Sequence, residues 1–88
     1  MKGSLDDRFK RELKEMIILE CLKEVTPDMI EDGAPLFGDD SLLQLDSIDG
    51  LQVSVAIQKQ YGRRVTDPKE VRRIMASIDT LADFLQPE

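Results

Sequence analysis

Leu43-Gln44-Leu45-Asp46-Ser47-Ile48-Asp49 stands where a long irregular segment gives way to helical patterning, and its reading decides the fold. Downstream, Ile48, Leu51, Val53, Val55, Ala56 and Ile57 supply the apolar positions of a helix from Ser47 to about Tyr61, stopped by Gly62. That stripe is broad and covers more than one face, with Asp49, Gln52, Ser54, Gln58 and Lys59 filling the rest. Arg63-Arg64 follow and suit the negative end of a helix. Upstream, residues 26–45 contain Gly33, Pro35 and Gly38, yet also Met29, Ile30, Leu36, Phe37, Leu42, Leu43 and Leu45. Those are too many apolar groups for a free linker, and loops this long in small domains are usually functional or disordered. The segment is expected to lie across the helices. Ser41-Leu42-Leu43-Gln44 has capping-box spacing, which predicts a short helical turn there.

The remainder of the chain is patterned for helices as well. A first helix opens near Leu5 and runs through Phe9, Leu13, Met16, Ile17 and Cys21, with Leu22 and Val25 closing it before Thr26-Pro27. Asp67-Pro68 starts a short third helix, aspartate as N-cap and proline at the first helical position, with Val71, Ile74 and Met75 facing inward. Ser77 or Asp79 opens a last helix through Ile78, Leu81, Ala82, Phe84 and Leu85, ending by Pro87. No strand pattern or internal repeat is present. The expectation is one all-α domain over residues 1–88. It is a small bundle of three longer helices and one short helix, with a long structured loop between the first two.

Composition narrows the function classes. The chain has 88 residues, so its core is small, and a hydrophobic share of 41% is still enough to fold. A net charge of −6 argues against nucleic acid as a partner, because phosphate would repel it. Charge is also unevenly spread. Asp28, Glu31, Asp32, Asp39, Asp40, Asp46 and Asp49 occur without a base between them, whereas Lys59, Arg63, Arg64, Lys69, Arg72 and Arg73 cluster later against Asp67 and Glu70 alone. Partners that approach the acidic segment are therefore expected to carry basic surfaces. Arg72 and Arg73 read as a solvated helix face, not a phosphate clamp.

The single Cys21 has no disulfide partner within the chain and points to a reducing cytoplasm. No apolar run follows Met1-Lys2-Gly3, and Met16-Ile17-Ile18-Leu19 is far too short for a membrane span, so neither a signal peptide nor membrane insertion is expected. Residues 28–49 lack the alternating ligands and terminal glutamate of a calcium loop, so no metal site is expected.

Ser47 carries the chemical argument. A serine hydroxyl needs a neighbouring base to act as a nucleophile, and the chain has no histidine. Ser47 at the mouth of a helix therefore reads as a residue that another enzyme modifies. The plainer alternative is an N-cap serine, with Asp46 and Asp49 as capping and dipole-complementing acids.

Helix order, loop length and serine position together resemble an acyl carrier protein, from about Leu5 to Leu85. The likeness centres on Leu43 to Asp49, with support from Val53, Ala56, Ile57, Tyr61-Gly62 and Ile78-Asp79-Thr80-Leu81-Ala82-Asp83-Phe84-Leu85. The resemblance implies that a phosphopantetheinyl transferase attaches 4′-phosphopantetheine from coenzyme A to Ser47 with magnesium. The arm's thiol would then carry acyl groups as thioesters between enzymes of fatty-acid, specialised lipid or polyketide biosynthesis. It implies a monomeric carrier and not an enzyme. Asp46, Ile48, Asp49 and Gln52 would contact partners, Asp46 by orienting the transferase and its metal and Ile48 by an apolar contact. Leu43, Leu51, Val55, Ile57, Ile74 and Met75 would line a space between the helices for the acyl chain.

The chain departs from the family where partners dock. Fatty-acid carriers have several glutamates along the second helix, whereas Asp49 and Lys59 are the only charges from Ser47 to Tyr61 here, and Gln52 and Gln58 take acidic places. Gly50 is unusual too, since glycine early in a helix costs up to about 1 kcal/mol relative to alanine. A specialised carrier with a dedicated pathway is the resulting expectation. A peptidyl or aryl carrier of nonribosomal synthesis, or an unmodified interaction module of the same fold, are the alternatives.

Overall fold

The computed structural model describes residues 1–87 and contains four α-helices: α1 (Asp7–Cys21), α2 (Ser47–Tyr61), α3 (Pro68–Ile74) and α4 (Ile78–Leu85). The all-α architecture matches the patterning. α4, at 8 residues, is closer in length to α3, at 7, than to the 15-residue α1 and α2. Each start follows from a cap. Asp6 accepts from the Phe9 N–H, Asp67 from the Lys69 N–H ahead of Pro68, and Ser77 from the Thr80 N–H. Gly62 closes α2 in the left-handed region at φ 72°, as its residue type predicts.

α1 ends earlier than the apolar pattern indicates. Leu22 takes φ 54° and ψ 47°, its N–H reaches the Leu19 carbonyl, and the Lys23 N–H reaches back to the Ile18 carbonyl. This is a Schellman-type stop built on a leucine, and it leaves Leu22 84% exposed. Leu5, expected to open α1, lies in a separate 3₁₀ turn over Gly3–Leu5 and is exposed.

One core joins all four helices. Leu13 and Ile17 of α1, Val53 and Ile57 of α2, Val71 and Ile74 of α3, and Ile78 and Leu81 of α4 are buried, together with Met75 in the α3–α4 joint. α1 packs on α2 and α4, and α3 bridges α2 and α4. The long loop is held to this core, as its apolar content predicts, by buried Ile30, Leu36, Leu43 and Leu45. Polar ties add to them: the Leu36 N–H donates to the Ala76 carbonyl, the Asp79 N–H to the Asp32 carbonyl, and Phe37 forms a parallel bridge with Leu45. The helical turn expected at Ser41 does not form. Ser41 Oγ does accept from the Leu43 and Gln44 N–H groups, but it donates to the Leu36 carbonyl, and Gln44 turns left-handed at φ 49°. The hydroxyl shapes a turn that returns the chain to Leu45 instead of nucleating a helix.

Candidate functional site

Asp46 and Asp49 set the geometry around Ser47. Asp46 Oδ1 accepts the Asp49 N–H at 3.0 Å, and Asp49 Oδ2 accepts the Asp46 N–H at 3.2 Å, a reciprocal capping box. Accepting the Asp49 N–H holds the Asp46 carboxyl below the usual carboxylate range. The capping duty thus belongs to Asp46. Ser47, the first residue of α2, is exposed, and its hydroxyl has no hydrogen-bond partner among the described residues. Asp49 faces back toward α1, with Lys23 Nζ 3.8 Å away and the Cys21 thiol donating weakly to its carbonyl.

The remaining expected site residues divide by face. Ile48, Leu51 and Val55 lie on the outer side of α2 at 66%, 49% and 51% exposure, with exposed Gln52 beside them. Leu43, Ile57, Ile74 and Met75 are inside, none more than 3% exposed. The breadth of the α2 apolar pattern is therefore two stripes: Val53, Ala56 and Ile57 in the core, and Ile48, Leu51 and Val55 facing solvent.

A small cleft of about 50 Å³ opens between α2 and α3 at Ser47, lined also by Phe37, Gly50, Leu51, Pro68, Val71 and Arg72. Gly50 makes it possible. A Cβ at that position would lie 3.2 Å from Val71 Cγ1 and 3.4 Å from the Phe37 ring edge. The Arg72 guanidinium sits 5.2 Å over the centre of the Phe37 ring and forms no ion pair among the described residues, whereas Arg73 is engaged by Glu70. Phe37 and Arg72 were not expected at the site. Gly50, unusual in a helix, was the one signal in the sequence that something packs closely there.

The acidic segment is less bare than its composition implies. Asp28 pairs with Arg11 at 3.0 Å, and Asp32 pairs with Lys10 at 2.8 Å and Lys14 at 2.6 Å. With Asp46 and Asp49 in the capping box, Glu31, Asp39 and Asp40 are the acids of this run that have no ion pair or capping role among the described residues. Cys21 is half-buried, and burial followed by the neighbouring Asp49 pushes its thiol up to about 11, far from a reactive thiolate.

Comparison with protein-family models, curated proteins and solved structures gives no match for this chain. No helix among the described residues is long and apolar enough to cross a membrane.

Proposed function

We propose that Ser47 is the attachment point of 4′-phosphopantetheine and that the chain is an acyl carrier. The observation that carries this reading is the division of labour at the start of α2: Asp46 caps the helix, which leaves an exposed serine hydroxyl with no structural employment. In the transfer, a partner transferase removes the Ser47 proton as Oγ bonds to the phosphorus bearing the pantetheine. The bond from that phosphorus to oxygen of the departing adenosine 3′,5′-bisphosphate breaks, a leaving group whose charge the transferase's magnesium would offset.

When bound, the arm supplies a thiol that carries acyl groups as thioesters. The chain's own residues present it. The positive dipole end of α2 favours a new phosphodiester, a modest stabilisation, although Asp46 already accepts the Asp49 N–H. The high thiol pKa of Cys21 keeps it from competing for acyl groups. Partner contact falls to the outer face of α2, where Ile48, Leu51 and Val55 are exposed and Gln52 and Gln58 stand in place of acids. That face supports a specialised carrier whose enzymes meet it largely through apolar contacts. Efficient acyl exchange with a general ketoacyl synthase would contradict the specialised role. The carrier assignment itself is tested by incubation with coenzyme A, magnesium and a broad-specificity transferase. The parent is expected to gain one phosphopantetheine in intact mass, and Ser47→Ala none.

A further inference from the structure

Arg72 is exposed on its helix face, as the sequence suggests, but it also has a particular neighbour. Its guanidinium carbon sits 5.2 Å from the centre of the Phe37 ring at the cleft that Ser47 also lines, with no carboxylate paired to it among the described residues, although Glu70 stands two residues away and engages Arg73 instead. Beside it is a hollow of about 50 Å³, room for one or two groups the size of a water molecule (about 30 Å³ each). Ile57, Ile74 and Met75 do not line the hollow and are closed in the core at 0%, 1% and 0% exposure. A long acyl chain has no room there, but a methyl of a compact branched group resting at the mouth does. Ser47, an unclaimed cation and a small apolar hollow thus adjoin one another. An arm on Ser47 presents matching chemistry in order: a phosphodiester anion directly after Oγ, then a geminal dimethyl group a few bonds further on.

We propose that the α2–α3 cleft seats the near end of the arm, with Arg72 facing the phosphodiester and Phe37, Gly50 and Val71 receiving the geminal dimethyl group. The inference rests on the carrier reading and deepens it. The occupant is fixed by its tether to Ser47, and charge complementarity selects Arg72, because guanidinium is well suited to phosphate and its contact with the Phe37 ring helps hold it at the cleft. Arg72 is a positioning residue. It directs the arm from Ser47 toward α3 and leaves Ile48 and Val55 open to partners.

The test uses isotope-labelled protein loaded by a transferase, with loading read by intact mass and only the loaded fraction compared. The expected result is nuclear Overhauser contacts from the geminal methyl protons to the Phe37 ring and Val71 methyls, and a phosphorus resonance displaced from that of free coenzyme A. Arg72→Gln should return the phosphorus resonance toward the free position and weaken the methyl contacts several-fold, with Arg72→Lys intermediate. Arg73→Gln should change neither. Gly50→Ala, which fills the hollow, should abolish the methyl contacts, and the exposed Arg72 variants carry the test alone if Gly50→Ala does not fold. Loaded protein with no methyl contacts, or with a phosphorus resonance indifferent to Arg72→Gln, overturns the cleft proposal and leaves the carrier reading standing. Failure to gain mass overturns the carrier reading and this proposal with it.

Discussion

Lys10 is a charged side chain in an otherwise aliphatic helix face, and only 7% of it is exposed. Its ammonium lies 2.8 Å from Asp32 and 3.4 Å from Asp79, so one residue of α1 ties both the long loop and the start of α4. Hydrogen bonds from Lys10 and then Lys14 hold the Asp32 carboxyl below the usual range, while the hydrogen bond to Asp32 keeps the Lys10 ammonium above its own. The signs define a window. Asp32 contributes stability that is present above its unfolded pKa, near 4, and lost as pH falls through its lower folded value. Lys10 contributes stability that is present below its unfolded pKa of 10.5 and lost as pH rises through the folded value. Lys10→Met should therefore destabilise the protein at neutral pH. Full removal of a buried partner costs about 3–5 kcal/mol, and Asp32, about a third exposed, can recover hydration, so about 1–2 kcal/mol is expected. Urea denaturation should show that loss at pH 7 and a much smaller difference at pH 2–3. A second residue-scale strain sits at Leu22, a non-glycine in the left-handed region whose side chain is mostly in water. Leu22→Gly should stabilise the fold by up to about 1 kcal/mol, less what glycine adds to unfolded-state entropy, read as a rise in the urea midpoint.

At the scale of the element, α2 separates two roles that its composition runs together. Ile57→Ala should cost about 2–5 kcal/mol, as for any closed aliphatic core site. Val55→Ala, two residues away on the outer face, should stay within about 0.5 kcal/mol. Equal losses in a denaturant series would mean that the two stripes are misassigned. This element also marks how far sequence reasoning reached. Gly62, Asp67-Pro68 and Ser77 were legible because each acts within one turn of its own position. The sorting of Leu51 and Val55 from Ile57 was not, because all three suit a broad apolar stripe and only the approach of α1 and α3 decides which face is covered. The end of α1 was hidden for a similar reason: Leu22 and Val25 continue the apolar rhythm, and the stop lies in backbone bonds that no favourable residue type announces. Arg72 and Phe37 meet from segments 35 residues apart, a separation at which spacing in the sequence carries no information.

Across the whole molecule, the N-terminal turn and α4 close the bundle. The Gly3 N–H donates to the Gln86 carbonyl at 2.7 Å, and the Ser4 N–H donates to Asp83 Oδ1 at 2.9 Å. Gly3 is buried so tightly that an added Cβ would fall 2.1 Å from the Ala82 carbonyl oxygen. Gly3→Ala should force the turn off α4 at a cost of about 1–3 kcal/mol, visible as a lower thermal midpoint and faster amide exchange in α4. The central claim is that Ser47 alone is loaded, and the chain is well suited to a direct check. Trypsin releases residues 24–59 as one peptide containing Thr26, Ser41, Ser47 and Ser54, of which Ser41 and Ser54 are buried. After incubation with coenzyme A, magnesium and a transferase shown to load a known carrier in parallel, fragmentation of that peptide should place one phosphopantetheine on Ser47 and on no other residue. A peptide of unchanged mass, or an adduct on a different hydroxyl, would contradict the account.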